Sequence, residues 1–432
     1  MKKFMDWMTE KFAPKMNKLA KNPWISSIQE AILAAMPLIL IGSFVTMLNI
    51  IGDYVSWFPD LSLISSFSFG LLALCLAYQI PFILMEKKKN RKTAKQAGMA
   101  GIALFLLLIY PLASDIAGYA AEDGSFSGTE GLAIFMERMG TQGMLAAILG
   151  GLLVGCIMNL FAKHTFFKED SAMPDFIIVW FDTLIPMLVI ILVGWIFTFK
   201  LGISMFTIIN DIFAPFIAVG QSFWGFVLFN FLAFAFLYSF GISTWVLYPV
   251  MAAIVFPAIG ANAAAASGAH LFIHTSETTN MFLIGGGGTT LALNILMLTA
   301  KSKRLKVVGR SCIVPSLFNI NEPVVFGAPI AFNPVLMIPM WIMGLLGPII
   351  TYLTMSSGLV PIPKNVFNFW YLPSPITGYM VTQSIAGTIL VLVIFAVSCL
   401  VYYPFLKVYD RQEYANEQKK LKEDEANKAA RA

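Results

Sequence analysis

Long apolar runs separated by short polar breaks organise the chain. Runs of spanning length fall at residues 31–51, 63–84, 97–113, 143–161, 176–199, 337–358 and 380–405. Each is close to the roughly 20 residues that an α-helix needs to cross a bilayer. The pattern predicts an all-α integral membrane protein with several spans. Composition agrees, since 58% of residues are hydrophobic and only 12% are charged, against about a quarter in soluble domains. The mean hydropathy is +0.76, and a soluble chain of this kind would aggregate. The amino terminus lacks the basic region, apolar core and small-residue cleavage site of a signal peptide, so the first span is expected to target the chain.

The regular pattern breaks up in the second half. Residues 201–219 mix Asn210, Asp211 and Pro215 into an apolar segment, which reads as an amphipathic helix lying in the membrane interface. Residues 221–260 suffice for two helices, with a break expected at Gly241-Ile242-Ser243. An alanine-rich stretch and a polar cluster of His270, His274, Thr275, Ser276 and Glu277 follow. Next comes Gly285-Gly286-Gly287-Gly288-Thr289-Thr290. It lacks the lysine of a phosphate-binding loop and the strand–helix setting of a dinucleotide fingerprint. Nucleotide binding is therefore rejected. The glycines suit the tip of a re-entrant hairpin, with the N–H groups of Gly286 and Gly287 facing a ligand, or a plain glycine-rich turn between helices.

Thirty residues from Arg310 contain five prolines, Pro315, Pro323, Pro329, Pro334 and Pro339, around the polar run Asn319-Ile320-Asn321-Glu322. No straight helix tolerates this. Unpaired backbone at membrane depth survives only where it is buried in protein or lines a watery cavity, which marks the segment as the substrate site. A carboxylate such as Glu322 costs on the order of 2.5–3.5 kcal/mol in the bilayer interior, so it needs partners, water or a proton. With Asn319, Asn321 and Asn333 it would suit a neutral polyhydroxylated solute. The structural alternative is a carboxylate that caps a broken helix.

Charge sets the expected orientation. Of 29 basic residues, 26 gather within residues 1–24, 86–95, 162–170, 301–310 and the tail from Lys407. By the positive-inside rule these face the cytoplasm, and the loop carrying Asp115, Glu122, Asp123 and Glu130 faces outward. Both termini are then cytoplasmic. The formal charge of +5 reflects topology and anionic lipid, because no basic stripe with interleaved aromatics points to nucleic acid. Cys75, Cys156, Cys312 and Cys399 are scattered singly and predict neither a disulfide nor a metal site. His270 and His274 show i,i+4 spacing without the other members of a zinc motif. No cofactor is expected.

The run Asn319-Ile320-Asn321-Glu322-Pro323-Val324-Val325-Phe326-Gly327-Ala328-Pro329-Ile330, followed by Asn333-Pro334, resembles the signature of the membrane IIC components of the sugar phosphotransferase system, lactose/cellobiose/chitobiose family. Residues 285–293, the basic turn 301–306 and the tail Tyr402-Tyr403-Pro404-Phe405-Leu406-Lys407 support it. The resemblance covers essentially the whole chain. It implies a homodimer of protomers with about ten transmembrane helices and two re-entrant hairpins around one sugar. The expected organisation is a dimerisation half at 1–200, a connecting arm at 201–220, a substrate-binding half at 221–406 and a cytoplasmic tail at 407–432. It also implies a β-linked disaccharide substrate such as cellobiose, chitobiose or lactose. A separate IIB protein, phosphorylated on cysteine, would donate to the sugar's 6-hydroxyl. Glu322 would contact that hydroxyl, Asn321 would bind sugar hydroxyls and Trp370 would stack on a ring or anchor at the interface. One residue departs: where the family carries Phe-Gly-Ile-His, this chain has Phe240-Gly241-Ile242-Ser243. Serine takes up no proton near neutral pH, which leaves an uncoupled sugar facilitator or membrane sensor as the alternative. His270 or His274 would be the substitutes from the first hairpin.

Overall fold

Helices follow the apolar runs closely, with two informative exceptions. The structure is a computed structural model that describes residues 7–12, 14–15, 18, 21–52, 55, 57–112, 134–163, 174–242, 244–328 and 330–429. Among these there are helices and turns but no strand. Among the described residues, six helices are long and apolar enough to cross a membrane: Pro23–Gly42, Leu63–Lys87, Thr141–Phe161, Asp175–Lys200, Pro334–Ser356 and Ile385–Glu423. The outward loop with Asp115, Glu122, Asp123 and Glu130 lies outside the described residues. Two units divide the described chain, the first within Ala20–Ala218 and the second within Met1–Leu19 and Val219–Ala432.

In the first unit, α1 (Pro23–Gly52), α2 (Leu72–Lys87), α3 (Ala94–Leu108), α4 (Met144–Phe161) and α5 (Asp175–Trp195) form a bundle. Small residues set how closely they approach. A Cβ at Gly101 of α3 would collide with the Ala77 carbonyl of α2, and one at Gly155 of α4 with the Leu84 side chain. Without a hydrophobic drive between helices in lipid, such close backbone contact is a main source of association. The run expected at 97–113 stops at Leu108, giving a helix of 15 residues. Pro111, three residues on, cannot continue it. The freed carbonyls are taken up by protein. The Arg138 guanidinium donates to the Ile109 oxygen at 3.1 Å, and the Thr198 hydroxyl donates to that of Leu107 at 2.8 Å. Arg138 also lies over the Phe206 ring at 4.3 Å, so a buried cation meets a helix C-terminus and an aromatic face together. Residues 205–221 form one helix, α6 (Met205–Gln221), with Pro215 inside it.

The second unit is less regular. Its elements are α7 (Phe223–Phe231), α8 (Tyr248–Ala264), α9 (Ser276–Phe282), α10 (Leu291–Met297), α11 (Lys303–Leu317), α12 (Glu322–Gly327), α13 (Pro334–Ser356), α14 (Ser374–Thr382) and α15 (Ile385–Ala429). Ser222 caps α7, its side chain accepting from the Gly225 N–H. The run expected at 380–405 is split, because Gln383 adopts a left-handed conformation with φ 51°. As a result α14 and α15 form a tight antiparallel hairpin. The Thr388 hydroxyl donates to the Pro375 oxygen at 3.0 Å, and a Cβ at Gly378 or Gly387 would strike the other's carbonyl.

The segment from Lys407 continues α15 and turns an acidic face on the start of α11. Asp410 accepts from the Lys301 N–H at 2.9 and 2.8 Å and from the Ser302 N–H at 2.9 Å. Glu417 accepts from the N–H groups of Lys303 at 3.0 Å and Arg304 at 2.9 Å and from the Ser302 hydroxyl at 2.7 Å. Glu413 pairs with Arg304 at 2.8 Å. The first backbone donors of a helix have no partner inside it, and here three carboxylates from another helix meet that end and its basic flank. Asp410→Ala is expected to lower stability by about 2 kcal/mol, read as a fall in thermal midpoint in detergent, with Asp410→Asn intermediate because it keeps one acceptor. A midpoint unchanged in Asp410→Ala would show that the clamp is incidental.

Candidate functional site

The broken segment is built around two asparagines. After Pro315, α11 ends and the Ile320 N–H turns back to the Pro315 oxygen at 3.0 Å. Asn319 then takes φ 61°, a left-handed conformation that asparagine tolerates better than most residues. Side chains alternate from there. Asn319 and Asn321 turn into the protein, whereas Ile320 and Glu322 are exposed.

Both amides grip the glycine turn. The Asn319 oxygen accepts from the Gly285 N–H at 2.8 Å and the Ser374 hydroxyl at 3.1 Å. Its nitrogen donates to the Trp370 and Leu372 oxygens at 2.7 and 2.9 Å. One side chain therefore joins the glycine turn, the 370–372 segment and the start of α14. The Asn321 oxygen accepts from the Tyr238 hydroxyl at 3.2 Å, and its nitrogen donates to the Gly287 oxygen at 2.9 Å and the Thr290 hydroxyl at 3.1 Å. From the other side, Tyr402 donates to the Gly288 oxygen at 2.8 Å and Ser398 to the Thr289 oxygen at 2.9 Å.

The turn requires glycine twice over. Gly285, Gly286 and Gly288 have φ of 74°, 97° and 73°, which side chains disfavour. A Cβ at Gly286 would also penetrate the Asn321 amide. The turn joins α9 and α10, seven residues each. Such short helices cannot hold themselves together in isolation, so the polar clamp fixes their arrangement.

The proposed site residues thus separate by what already occupies them. The polar atoms of Asn319 and Asn321 have protein partners, which makes them supports of the turn. Asn333 is the N-cap of α13, its oxygen accepting from the Val335 N–H at 3.1 Å. Glu322 opens the first turn of α12, takes no hydrogen bond or ion pair from the described residues, and is exposed. Trp370 is 36% exposed and meets Tyr371 edge-on at 5.8 Å. Ser243 lies outside the described residues, while Gly241 before it has φ 68°.

The two histidines share no helix. Residues 265–275 are not helical, so their spacing does not align them on one face. His270 is exposed beside Phe272, with ring centroids 6.1 Å apart. His274 is fully buried. Its Nδ1 lies 2.7 Å from the Gly220 oxygen, which requires a proton on that nitrogen, and its Nε2 lies 3.2 Å from the Asn230 amide nitrogen. A ring with both nitrogens engaged offers nothing to a ligand in this arrangement. Gln221 adds a paired clamp, accepting from the His274 N–H at 3.0 Å and donating to its oxygen at 2.9 Å.

Sequence reasoning left Glu277 without a role. It is fully buried, accepting from the Phe367 N–H at 3.0 Å and the Ser276 hydroxyl at 2.6 Å. It therefore tethers the aromatic segment Phe367–Tyr371 to α9. The cost of an ionisable group at membrane depth was the available signal, and it applied to Glu277 as well as to Glu322.

Described residues that fold into helices and turns, with apolar helices of spanning length and a polar clamp inside an apolar unit, have the build of a multi-pass membrane protein. The profile described as phosphotransferase system, EIIC, matches residues 29–344. The chain is 32% identical over 440 aligned positions to the putative permease IIC component YwbA of Bacillus subtilis (strain 168), covering 96% of this chain and 98% of that one. It is 29% identical over 446 positions to the cellobiose-specific EIIC component of Geobacillus stearothermophilus, covering 97% of each. The crystal structure of the transporter ChbC, the IIC component of the N,N'-diacetylchitobiose-specific phosphotransferase system, superposes with a TM-score of 0.85 at 28% identity, over 95% of this chain and 99% of that one. The chain belongs to the phosphotransferase system EIIC family, as its Asn-Ile-Asn-Glu-Pro segment led us to expect.

Asn321→Ala would leave the Tyr238 hydroxyl, the Gly287 oxygen and the Thr290 hydroxyl short of a partner. Unsatisfied buried groups cost about 1–3 kcal/mol each, so a loss of at least about 2 kcal/mol is expected. Thermal unfolding in detergent makes the comparison, and equal midpoints for wild type and Asn321→Ala would mean that the turn is held elsewhere.

Proposed function

We propose that this protein is a IIC permease subunit that binds a β-linked disaccharide of the cellobiose, chitobiose or lactose kind. It would carry the sugar across the membrane coupled to 6-phosphorylation by a separate cytoplasmic IIB protein. The observation that carries the reading is the contrast within four residues. Asn319 and Asn321 are engaged in holding the glycine turn, and Glu322 beside them is exposed and unoccupied by the described residues. Full-length kinship with proteins named for cellobiose and N,N'-diacetylchitobiose supports the substrate class.

Phosphoryl transfer depends on positioning and on stabilising charge, with little covalent work for the holder of the acceptor. Glu322 accepts a hydrogen bond from the 6-hydroxyl, orients its oxygen toward the incoming phosphorus and takes the proton late. The clamp keeps this carboxylate in place while Trp370 offers an aromatic face to a sugar ring. Once formed, the phosphate carries about −1.5 to −2 charge and is repelled by Glu322. That repulsion disfavours rebinding and makes uptake directional. In this reading the protein acts as a homodimer with both termini cytoplasmic.

Ser243 favours a second reading, an uncoupled facilitator or sensor, because it supplies neither a proton nor a cation. The two are separated by supplying phosphorylated IIB proteins to the protein with bound sugar, since only the first reading yields sugar 6-phosphate. For the first reading, Glu322→Gln is expected to hold a cellobiose, chitobiose or lactose ligand within about tenfold of wild type by calorimetry. Phosphorylation should fall by at least about 100-fold, the lower end of what a positioned base contributes. Undiminished phosphorylation in that variant would remove Glu322 from the mechanism.

A further inference from the structure

At the basic end of the first unit, a cavity of about 310 Å³ opens where the ends of α2, α3, α4 and α5 meet. Its lining includes Lys89, Arg91 and Lys92, the carboxylate of Asp182, and Met158, Thr183 and Pro186. A water molecule's share of liquid volume is about 30 Å³, so the space admits roughly ten waters or one phosphate ester with its glycerol. The turn that carries the cations is firmly set. The Asn90 N–H donates to the Met85 oxygen at 2.9 Å, and the Asn90 amide donates to Asn159 of α4 at 3.1 Å.

The charges around this cavity do not cancel. Among the described lining residues, three cations meet one carboxylate. Lys92 also reaches Asp175 at 3.3 Å, but both side chains are mostly exposed, and such pairs contribute little. Among the described residues, neither Lys89 nor Arg91 has a carboxylate within ion-pair distance. Two cations are therefore left lining a cavity that they share with Met158, Ala162 and Pro186 and with the polar groups of Asn90, Thr93 and Thr183. A phosphate ester satisfies them, since guanidinium and ammonium groups both donate to its oxygens.

We infer that this cavity binds the phosphate ester of an anionic membrane phospholipid, with Lys89 and Arg91 as its principal ligands. The surroundings choose the lipid over a soluble phosphate. Leu160 of α4 and Phe176 and Trp180 of α5 are 55%, 55% and 61% exposed, giving acyl chains an apolar wall beside the headgroup. Basic pockets between transmembrane helices bind anionic headgroups for this combined reason.

The test uses the full chain in detergent, titrated with dioleoyl-phosphatidylglycerol or dioleoyl-phosphatidylcholine and read by native mass spectrometry. Phosphatidylglycerol should bind at least about tenfold more tightly. K89A/R91A should weaken it roughly 25-fold, about fivefold per cation removed, and abolish the preference. Lys95→Ala, one exposed charge beyond the lining, should leave both unchanged. If the double variant does not fold, Lys89→Ala and Arg91→Ala alone, each expected near fivefold, carry the comparison. Equal binding of the two lipids, or equal behaviour of K89A/R91A and Lys95→Ala, would overturn the inference. Glycerol 3-phosphate serves as the soluble probe. If it displaces phosphatidylglycerol at equal concentration, the cavity takes a free phosphate ester and the lipid assignment fails.

Discussion

A backbone that leaves helical geometry in an apolar unit must find new partners for every N–H and C=O it frees. The glycine turn is where that demand is greatest. Gly285, Gly286, Gly288 and Thr289 all lie at positive φ, and the helices on either side are too short to absorb the cost. Side chains from three other parts of the second unit supply the answer: Asn319 and Asn321 from the broken segment, Tyr238 behind Asn321, and Ser398 and Tyr402 from α15. Loss of one partner exposes the rest, because each amide is shared among several donors and acceptors. Networks of this kind are stable only when complete.

The same demand shapes both units at their helix ends. Arg138 and Thr198 satisfy the end of α3, and Asp410 and Glu417 satisfy the start of α11. In each case the partner is distant in sequence, so a local feature of one helix becomes a tertiary tie to another. The acidic residues of the tail are thereby set against the basic run 301–306. The basic residues that the positive-inside rule reads as an orientation signal also serve to close the fold.

Much of this was legible in the sequence, though unevenly. Apolar runs marked the long helices because burial and lipid both ask for the same residues at every position. They overextended α3, since residues after Leu108 are apolar yet belong to the approach to Pro111. They merged α14 with α15, since nothing in composition announces a left-handed Gln383. Polar residues at membrane depth pointed to the segment that the structure builds into a polar clamp, but not to the role of each atom. Asn319, Asn321, Asn333 and His274 all looked like ligands for a solute, yet Asn319, Asn321 and His274 have their side-chain polar atoms engaged within the protein and the Asn333 oxygen caps α13. A sequence shows that a buried polar group needs a partner, whereas only coordinates show whether that partner is protein.

Glu277 and Glu322 make the distinction sharpest. Both are carboxylates that an apolar unit should resist. Glu277 is fully buried and holds the Phe367 backbone and Ser276, so its charge is answered inside the fold. Glu322 sits two residues from Pro323's far neighbour Val324, which is fully buried, yet its own side chain is exposed. Alternation along Asn319-Ile320-Asn321-Glu322 accounts for the difference: the residues that turn inward lock the glycine turn, and the next one outward is held by that lock without taking part in it. A carboxylate so placed is rigid at its root and free at its tip. That combination suits a group that must meet a hydroxyl and then repel a phosphate, and a carboxylate engaged in structure, as Glu277 is, could do neither.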